Sequence, residues 1–328
     1  MKVLITGGAG FIGSNLVGSL LSDSRVKSVR VLDNFSTGFR RNIEEFNSNP
    51  KFDIIEGDIR DYQVCLKATN EMDAISHQAA LGSVPRSIKD PLTSNDVNIT
   101  GTLNVFNAAV ENKVKRVVFA ASSSTYGDSE GLPKVEHTIG RPLSPYAVTK
   151  YVNELYADVF SKSYDFEFIG LRYFNVFGPK QDPNGAYAAV IPLFFKSALS
   201  DESPLINGDG SISRDFTYIQ NAVNANVLSL FTEEKKAINQ IYNVACGDRT
   251  TLNELWQMIK SITGTKADAK YGPSRIGDIP HSLAEIRKIK TNLAYHVSFD
   301  VNKGLEKAYE WYRNNAKDQQ SLTVKNKN

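Results

Sequence analysis

Tyr146 and Lys150 stand four residues apart in the segment Tyr-Ala-Val-Thr-Lys. On a helix, this spacing places both side chains on one face. An ammonium group beside a phenol favours the phenolate and lowers a pKa that starts near 10. A tyrosinate that forms near neutral pH can act as a general base on an alcohol. The pair therefore predicts hydroxyl chemistry, although the spacing taken alone is common by chance.

Hydroxyl groups follow a predicted buried strand a little earlier in the chain. The apolar run 117–121 ends in four consecutive hydroxyl residues, which are Ser122, Ser123, Ser124 and Thr125. Parallel sheets bind ligands at the carboxyl ends of their strands, so a substrate is expected here. We expect Ser123 or Ser124 to contact that substrate. The alternative is bonding to the backbone where the strand ends.

A glycine-rich turn follows the first apolar run. Gly7, Gly10 and Gly13 are spaced G-x-x-G-x-x-G after a predicted strand, and they open a predicted helix. Such a turn lets the backbone approach a pyrophosphate, which the helix N-terminus attracts. Asp33 ends the second predicted strand, twenty residues after Gly13. A carboxylate there accepts hydrogen bonds from an adenosine ribose and repels a 2′-phosphate, which predicts NAD rather than NADP.

The predicted cofactor contacts continue beyond this turn. Asp58 and Ile59 follow the third predicted strand and fit the adenine edge, and the alternative for Asp58 is an N-cap of the helix from Tyr62. The residues predicted to line the adenosine and pyrophosphate part of the site are Gly7, Gly10, Phe11, Ile12, Gly13, Asp33, Asn34, Ser36, Thr37, Gly38, Asp58 and Ile59. The alternative for the whole motif is a plain glycine turn followed by a surface aspartate.

Short β-branched runs alternate with helix-length segments, a pattern typical of βαβ units and a parallel sheet. We therefore predict an α/β fold with a Rossmann-type doubly wound parallel sheet and a smaller C-terminal α/β substrate domain. The predicted strands are Lys2–Thr6, Val29–Asp33, Phe52–Glu56, Ala74–His77, Arg116–Ala121, Glu167–Arg172 and Ile241–Ala245. Two predicted helices matter for the site, Asn98–Glu111 and Pro145–Ser163.

The domain boundaries follow from changes along the chain. Residues 1–178 are predicted to form the NAD-binding domain, to which the segment 215–245 returns. After residue 178, prolines and glycines break the chain into shorter pieces, which predicts a substrate domain over residues 179–313. The polar tail 314–328 is predicted to be frayed or disordered.

Composition narrows the function classes. The chain has 328 residues, a formal net charge of +2 and two cysteines. The small net charge predicts neither a nucleic-acid nor a membrane partner, and no run reaches the roughly 20 apolar residues that span a bilayer. Two isolated thiols indicate a reducing compartment, so a cytoplasmic protein is predicted. The histidines lack metal-ligand spacing, so no metal site is predicted, and His77 on an apolar strand end is predicted to be a core residue.

Four segments together resemble the extended short-chain dehydrogenase/reductases, namely TGGAGFIG, AASSSTYG, YAVTK and LRYFNVFGP. The resemblance extends through residue 313 and is greatest to nucleotide-sugar epimerases of the UDP-glucose 4-epimerase type. It implies a doubly wound NAD domain, a UDP-sugar domain and a cofactor that stays bound through turnover. It also implies a homodimer in which the helices Asn98–Glu111 and Pro145–Ser163 pair.

The resemblance implies roles for single residues. Tyr146 matches the catalytic base, Lys150 matches the residue that holds the nicotinamide ribose, and Ser122 matches a catalytic hydroxyl. The Ser122 hydroxyl is expected to bond the sugar O4 and the Tyr146 oxygen. Asn98 matches an asparagine that supports the active site, and an N-cap is its alternative role. The further implied cofactor contacts are Gln78, Ala79, Ala80, Asn98 and Tyr173.

Substrate contacts are implied in the same way. Asn175, Arg214 and Arg275 match residues that bind the UDP diphosphate, and Asp278 matches a contact to the uridine ribose. Guanidinium groups suit diphosphates because they bind phosphate oxygens bidentately. The remaining implied substrate contacts are Gly82, Ser83, Val190, Asn207 and Ser211.

Two features of the sequence favour one reaction and one class of sugar. Related dehydratases and decarboxylases carry a carboxylate just after the catalytic hydroxyl, whereas this chain has Ser123, Ser124 and Thr125 there, which predicts epimerisation. Ser282 stands where hexose-only members carry a bulky tyrosine, and a small residue leaves room for a 2-acetamido group.

The resulting hypothesis is NAD-dependent C4 epimerisation of UDP-N-acetylhexosamines, from UDP-N-acetylglucosamine to UDP-N-acetylgalactosamine, with their uronic acids as further candidates. One alternative is a UDP-glucose or UDP-glucuronate 4-epimerase. An alternative of another class is a non-catalytic NAD-binding regulator. Such a regulator has no use for the intact Tyr146, Lys150 and Ser122.

Overall fold

The computed structural model describes residues 1–185, 188–273 and 281–325, with side chains through residue 315. Its strands are β1 (Lys2–Thr6), β2 (Ser28–Asp33), β3 (Phe52–Glu56), β4 (Ala74–His77), β5 (Arg116–Ser122), β6 (Glu167–Tyr173), β7 (Val176–Phe177), β8 (Leu205–Asn207), β9 (Ser213–Arg214), β10 (Thr217–Tyr218), β11 (Gln240–Val244), β12 (Thr250–Thr251) and β13 (Lys270–Gly272). Its helices are α1 (Phe11–Leu21), α2 (Tyr62–Thr69), α3 (Val84–Lys89), α4 (Pro91–Asn95), α5 (Gly101–Glu111), α6 (Pro145–Ser163), α7 (Val190–Leu199), α8 (Ile219–Phe231), α9 (Leu252–Thr263), α10 (Arg287–Leu293) and α11 (Val301–Lys325).

Seven parallel strands form the central sheet, in the order β3–β2–β1–β4–β5–β6–β11. The chain runs outward from β1 to β3 and then crosses to β4, so the strand order reverses between β1 and β4. Open α/β sheets bind ligands at such a switch point, beyond the carboxyl ends of the strands. The predicted Rossmann-type sheet is confirmed, and each of the seven predicted strands forms within one residue of its expected ends.

Two apolar clusters cover the two faces of the sheet. Successive side chains of a strand point to opposite faces, and Val3 and Ile5 accordingly belong to one cluster while Leu4 belongs to the other. The first cluster includes buried residues of α1 and α8, and the second includes those of α2, α5 and α6. Coverage on both faces explains why the strands are continuous apolar runs in the sequence.

Tyr146 lies on α6, which begins at Pro145 and ends at Ser163, as predicted. Ser144 caps its N-terminus by accepting a hydrogen bond from the backbone N–H of Ala147 (3.1 Å). Pro145 occupies the first helical position, where a backbone N–H would have no intrahelical partner. Tyr146 therefore lies in the first turn of a well-defined helix end.

Beyond α8 and β11, which belong to the central sheet and its cover, the residues after β7 form a smaller α/β region beside the sheet. Its short strands pair in twos, β8 with β13, β9 with β12 and β10 with β7. Ring contacts join α7 to α9 through Phe194 and Trp256, and α7 to α11 through Phe195 and Tyr312. Within the described ranges, no helix is long and apolar enough to cross a membrane.

The tail differs from the expectation of a frayed segment. Helix α11 continues to Lys325 instead of ending near residue 314. Residues 316–325 include alanine, leucine, glutamine and lysine, which are good helix formers, and extending an existing helix needs no new nucleation.

Candidate active site

Tyr146, Lys150 and Ser122 line one cavity of about 440 Å³ at the switch point of the sheet. The backbone N–H of Tyr146 donates to Ser87 Oγ (3.0 Å), which fixes the start of α6 against α3. Lys150 Nζ lies 6.0 Å from the centre of the Tyr146 ring and donates to Ala120 O (2.9 Å). The structure thus brings the three predicted catalytic side chains together.

Burial controls the ionisation of the phenol and the ammonium group. It raises the pKa of Tyr146, and a hydrogen bond with the Ser122 hydroxyl opposes that rise. It lowers the pKa of Lys150 to about 8, against the opposing charge of Glu154. The expected lowering of the Tyr146 pKa by Lys150 is therefore corrected. Desolvation of the phenolate dominates in the structure, and Ser122 is the group that counteracts it.

The hydroxyls that follow β5 have separate partners. Residues 123–126 form a 3₁₀ turn, which Ser122 caps by accepting from the backbone N–H of Ser124 (3.1 Å). The hydroxyls of Ser122 and Ser124 share a hydrogen bond of 2.8 Å, whereas Thr125 donates to the carbonyl of Ser122 (2.8 Å). Ser123 and Ser124 are half-buried and do not line the cavity. The local-bonding alternative thus describes Ser124.

The glycine turn is tight because its backbone atoms nearly touch. A Cβ on Gly13 would stand 2.1 Å from the carbonyl oxygen of Gly7, and a Cβ on Gly7 would stand 2.6 Å from Ala79 N. Gly7 also has a φ of +70°, which other residues rarely adopt. Phe11, Ile12 and Gly13 begin α1 and line the cavity, so the unpaired N–H groups of a helix N-terminus lie beside it.

Two carboxylates lie at the cavity. Asp33 is buried at the end of β2, where two backbone amides each donate to it over 2.8 Å. Desolvation raises its pKa, and these bonds oppose the rise. Asp58 also lines the cavity, and an ion pair with Arg60 (2.8 Å) holds its pKa at about 2. Asp61, not Asp58, caps α2. All twelve residues predicted for the adenosine and pyrophosphate part line this cavity.

Sequence reasoning missed a buried amide that positions two cavity residues. Asn226 of α8 donates to the Tyr173 hydroxyl (2.7 Å), and its oxygen accepts from Gln78 Nε2 (3.0 Å). The Tyr173 hydroxyl in turn donates to Gln78 Oε1 (3.1 Å). Gln78, Ala79, Ala80 and Tyr173 all line the cavity. Asn226 lies inside an ordinary helix, where no motif marks it.

Asn98 lies behind the cavity and does not line it. It is fully buried in a π-helical turn, Asp96–Thr100, that leads into α5, so it is not an N-cap. Its side chain accepts from Leu81 N (2.7 Å) and donates to Leu81 O (3.2 Å) and Thr149 Oγ1 (3.1 Å). Leu81 does line the cavity. Asn98 thus joins the loop after β4 to α6, and its contact with the cofactor stays a prediction.

A second cavity, of about 650 Å³, continues from the first, because Asn175 and Val176 line both. It is also lined by Val190, Asn207 and Arg214, three predicted substrate residues. Asn175 has a φ of +35°, and its side-chain amide donates to Asp215 O (3.0 Å).

Asp215 is a fully buried carboxylate beside Arg214. It accepts from the backbone N–H groups of Cys246 (2.9 Å), Gly247 (3.0 Å) and Ala284 (3.2 Å). Desolvation raises its pKa to about 7, although these three bonds oppose the rise. The carboxylate thereby ties β9, the end of β11 and the segment around Ala284 together.

Backbone hydrogen bonds also fasten that segment on two sides. Ser282 N donates to Ser213 O (3.1 Å). Lys134 N donates to Leu283 O (2.7 Å), and Glu285 N donates to Lys134 O (2.9 Å). Ser282 is thus held beside β9, although it lines neither of the two cavities.

The other predicted substrate residues lie in different places. Gly82 lines the first cavity. Ser83 caps α3 by accepting from a backbone N–H (3.2 Å), and the Ser211 hydroxyl donates to Asp209 (2.6 Å). Neither serine lines the two cavities, and each hydroxyl bonds locally. Two predicted contacts fall outside the described residues, Arg275 and Asp278.

Known proteins are similar to this chain in sequence and in structure. The model of a family described as the NAD dependent epimerase/dehydratase family matches residues 3–245. A putative UDP-glucose 4-epimerase from Methanocaldococcus jannaschii is 36% identical over 315 residues, which are 95% of this chain and 99% of that protein. The chain belongs to the NAD dependent epimerase/dehydratase family.

Two solved structures of similar epimerases bind different sugars. A UDP-N-acetylglucosamine 4-epimerase from Methanobrevibacter ruminantium, in complex with UDP-N-acetylmuramic acid, has a TM-score of 0.90 and 39% identity, covering 96% of this chain and 98% of that one. A UDP-glucuronic acid 4-epimerase from Bacillus cereus, in complex with UDP-glucuronic acid and NAD, has a TM-score of 0.88 and 32% identity, covering 96% and 99%. The resemblance to epimerases of the extended short-chain type is confirmed.

NAD is the cofactor of this epimerase family, and the residues of the first cavity fit it. The glycine turn exposes backbone where Cβ atoms would clash, and the start of α1 suits a pyrophosphate. The buried carboxylate of Asp33 suits ribose hydroxyls, since it still has lone pairs to accept from them. Tyr146, Lys150 and Ser122 line the same cavity.

Proposed function

We propose that this chain is a UDP-N-acetylglucosamine 4-epimerase, which interconverts UDP-N-acetylglucosamine and UDP-N-acetylgalactosamine through a 4-keto sugar. The uronic acids of both sugars are further candidate substrates. The observation that carries the proposal is the meeting of Tyr146 and Ser122 in one cavity, with a turn free of carboxylates directly after Ser122.

The side chains have distinct roles in this reaction. Tyr146 removes the proton from O4 of the sugar and later returns it, so the cycle consumes no proton. The Ser122 hydroxyl bonds the reacting oxygen and the phenol oxygen. Lys150 would hold the nicotinamide ribose, and its pKa of about 8 keeps it largely protonated at neutral pH. NAD, which the glycine turn and Asp33 would hold, would supply the hydride chemistry at C4 of the sugar.

The turn after Ser122 supports epimerisation over elimination. The family includes dehydratases as well as epimerases. Elimination requires an acid that protonates the departing hydroxyl. The turn offers Ser123, Ser124 and Thr125 instead. A 4-keto sugar in this site therefore has reduction back to the alcohol as its available step.

The second cavity supports a nucleoside diphosphate as the rest of the substrate. It joins the first cavity at Asn175, so one ligand can extend through both. Arg214 lines it, and a guanidinium group binds diphosphate oxygens bidentately. Apolar side chains such as Val190 and Phe216 provide the surface on which a flat base can pack.

The function is tested by incubating the purified protein separately with UDP-N-acetylglucosamine, UDP-glucose and UDP-glucuronate and resolving the C4 epimers by NMR. We expect ready conversion of the acetamido sugar. Conversion of one of the other sugars without it would instead support a UDP-glucose or UDP-glucuronate 4-epimerase. Bound NAD with no conversion of any sugar would support a non-catalytic regulator.

The sugar preference is tested at Ser282. A tyrosine there takes the space that a 2-acetamido group needs, so S282Y should lower kcat/KM for UDP-N-acetylglucosamine by about 10- to 200-fold and change that for UDP-glucose little. The control is S282A, which keeps the space and should keep both substrates. An equal loss on both sugars would show that the side chain at 282 does not select the sugar.

We also propose a homodimer in which a second copy covers an apolar face of α6. Val148, Leu155 and Val159 lie on one side of this helix and are 45%, 49% and 53% exposed. Ile88 and Leu92, on the neighbouring α3 and α4, are 63% and 82% exposed. The largest apolar side chains of α5, the other helix expected to pair, lie in the core. The proposed interface therefore centres on α6 with α3 and α4.

The interface is tested by L155D, which should convert the dimer into monomers because it buries a carboxylate without a partner. Light scattering during gel filtration measures the mass. The control is I54D, on the strand β3 at the edge of the sheet, where the side chain is 36% exposed and a carboxylate should leave the dimer intact. A wild-type monomer at micromolar concentration would contradict the proposal.

A further inference from the structure

Ser124 is hydrogen-bonded to Ser122, which lines the first cavity together with Tyr146. Its hydroxyl lies 2.8 Å from Ser122 Oγ, and its backbone N–H donates to the same atom over 3.1 Å. Ser124 is half-buried and lines neither cavity, whereas Ser122 and Tyr146 share the first cavity. Any effect of the Ser124 hydroxyl on the reaction is therefore exerted on Ser122.

The bonding capacity of the Ser122 hydroxyl explains what this effect is. A hydroxyl has one proton to donate and two lone pairs that accept. The backbone N–H of Ser124 occupies one lone pair. Before substrate binds, one lone pair and one proton then remain for two partners, the Ser124 hydroxyl and the Tyr146 oxygen.

The protonation state of Tyr146 decides between two arrangements. A phenolate has no proton, so Ser122 must donate to it, and the remaining lone pair of Ser122 accepts from the Ser124 hydroxyl. A neutral phenol can donate to Ser122, whose own proton then points to Ser124 Oγ. No proton moves between the serines, because each hydroxyl only rotates. The proton that Tyr146 gains comes from the sugar O4 and returns to it.

We propose that Ser124 is a positioning residue whose hydroxyl directs the Ser122 proton toward Tyr146 and so stabilises the tyrosinate. Hydrogen bonds in a chain strengthen one another, and bonds to a charged acceptor are stronger than neutral ones. The hydroxyl of Ser124 thus acts in the state in which Tyr146 is ready to accept a proton. This inference rests on the proposed function for the identity of the substrate, not for the hydrogen bonds.

The surrounding ionisable groups limit where such an effect is visible. Lys150 has a pKa of about 8, and Glu154 beside it is paired with Arg172 (2.7 Å). Burial lowers the pKa of His77 to about 3 and raises that of Tyr173 to about 12. These two residues do not titrate between pH 5 and 9, whereas Lys150 and Asp215, whose pKa is about 7, do. A limb of the activity profile is therefore assigned to Tyr146 only where the tyrosinate absorbance changes over the same pH range.

The test compares S124A and S124T with the wild-type holoenzyme over pH. S124A keeps the backbone N–H and loses the hydroxyl, so the phenolate is less stabilised and the pKa of Tyr146 rises. We expect the acidic limb of kcat to move to higher pH by about half a unit to one unit. Below that limb kcat should fall about three- to tenfold, with KM unchanged. S124T keeps the hydroxyl and should retain the wild-type dependence of kcat on pH.

The matched control is T125V, which removes a hydroxyl from the same turn whose bond goes to the backbone carbonyl of Ser122. It should not move the limb, even where it lowers stability. A limb that S124A leaves in place would overturn the proposal. So would a raised KM with unchanged kcat, which would mean that Ser124 contacts the sugar.

A second readout separates this proposal from the proposed function. The ultraviolet absorbance of tyrosinate, taken as the difference between wild type and Y146F over pH, reports the ionisation of Tyr146 without any substrate. S124A should shift that titration to higher pH, whichever sugar the enzyme converts. An unchanged titration would overturn the role of Ser124 even in an active epimerase.

Discussion

Y146F should lower the turnover of the UDP-sugar about 100- to 10,000-fold, the range over which general acid–base groups contribute, while NAD stays bound. The phenol oxygen is the atom that the substitution removes. The backbone N–H of Tyr146 still donates to Ser87 and Lys150 still bonds to Ala120, so the helix end keeps its place. The measurement is the single-turnover rate of C4 epimerisation, together with NAD content after gel filtration.

A buried tyrosine outside the cavity serves as the control for Y146F. Tyr126 is 1% exposed, and its hydroxyl donates to Asn243 (2.6 Å). Y126F should lower the free energy of unfolding by about 1 kcal/mol and keep the turnover within a few-fold of wild type. If Y146F retained a tenth of the wild-type rate, Tyr146 would not be the base.

Among glycine-to-alanine substitutions in the cofactor site, G13A should lower NAD binding and turnover the most. Its Cβ would stand 2.1 Å from the carbonyl oxygen of Gly7 and 2.8 Å from Gly8 Cα, and both are backbone atoms that cannot rotate away. The turn must therefore open by about 1 Å, a displacement that costs on the order of 100-fold in rate. Overpacking should also lower the free energy of unfolding by about 1–3 kcal/mol. The turnover rate and NAD content of the purified variant measure the first effect, and its thermal unfolding measures the second.

The control for G13A is G131A, because a Cβ at Gly131 has no atom within 4 Å. It should keep both the bound NAD and the unfolding temperature. Wild-type NAD content in G13A would contradict the assignment of this turn to the pyrophosphate.

The residues whose positions the sequence predicts are those marked by local patterns. The spacing of Tyr146 and Lys150 requires only that α6 forms, and Ser144 and Pro145 start that helix from within four residues. The glycine turn likewise requires only the strand before it and the helix after it. Ser122 joins them because parallel strands end at one edge of the sheet. Short-range rules therefore sufficed to predict that Ser122, Tyr146 and Lys150 lie at one cavity.

The positioning residues could not be located this way, because their partners are distant in sequence. Asn226 bonds Gln78 across 148 residues, and Asp215 bonds Ala284 across 69 residues. Asn98 likewise bonds Leu81 and Thr149, which are 17 and 51 residues away, and its motif shows neither contact. The rise in the pKa of Tyr146 was missed for a related reason, since desolvation depends on every segment packed around the phenol.

The backbone bonding of residues 282–285 has a consequence for how this enzyme can change. Ser213, Lys134 and Asp215 hold that segment by its N–H and C=O groups, which every replacement except proline retains. Under selection for a new sugar, one codon at 282 can therefore be exchanged without a prior compensating mutation. Ser122, Tyr146 and Lys150 have no such freedom, because their own side chains make the hydrogen bonds at the cavity. Given the role in sugar selection proposed for Ser282, laboratory evolution from this chain should accumulate its first changes of substrate at 282 and leave 122, 146 and 150 untouched.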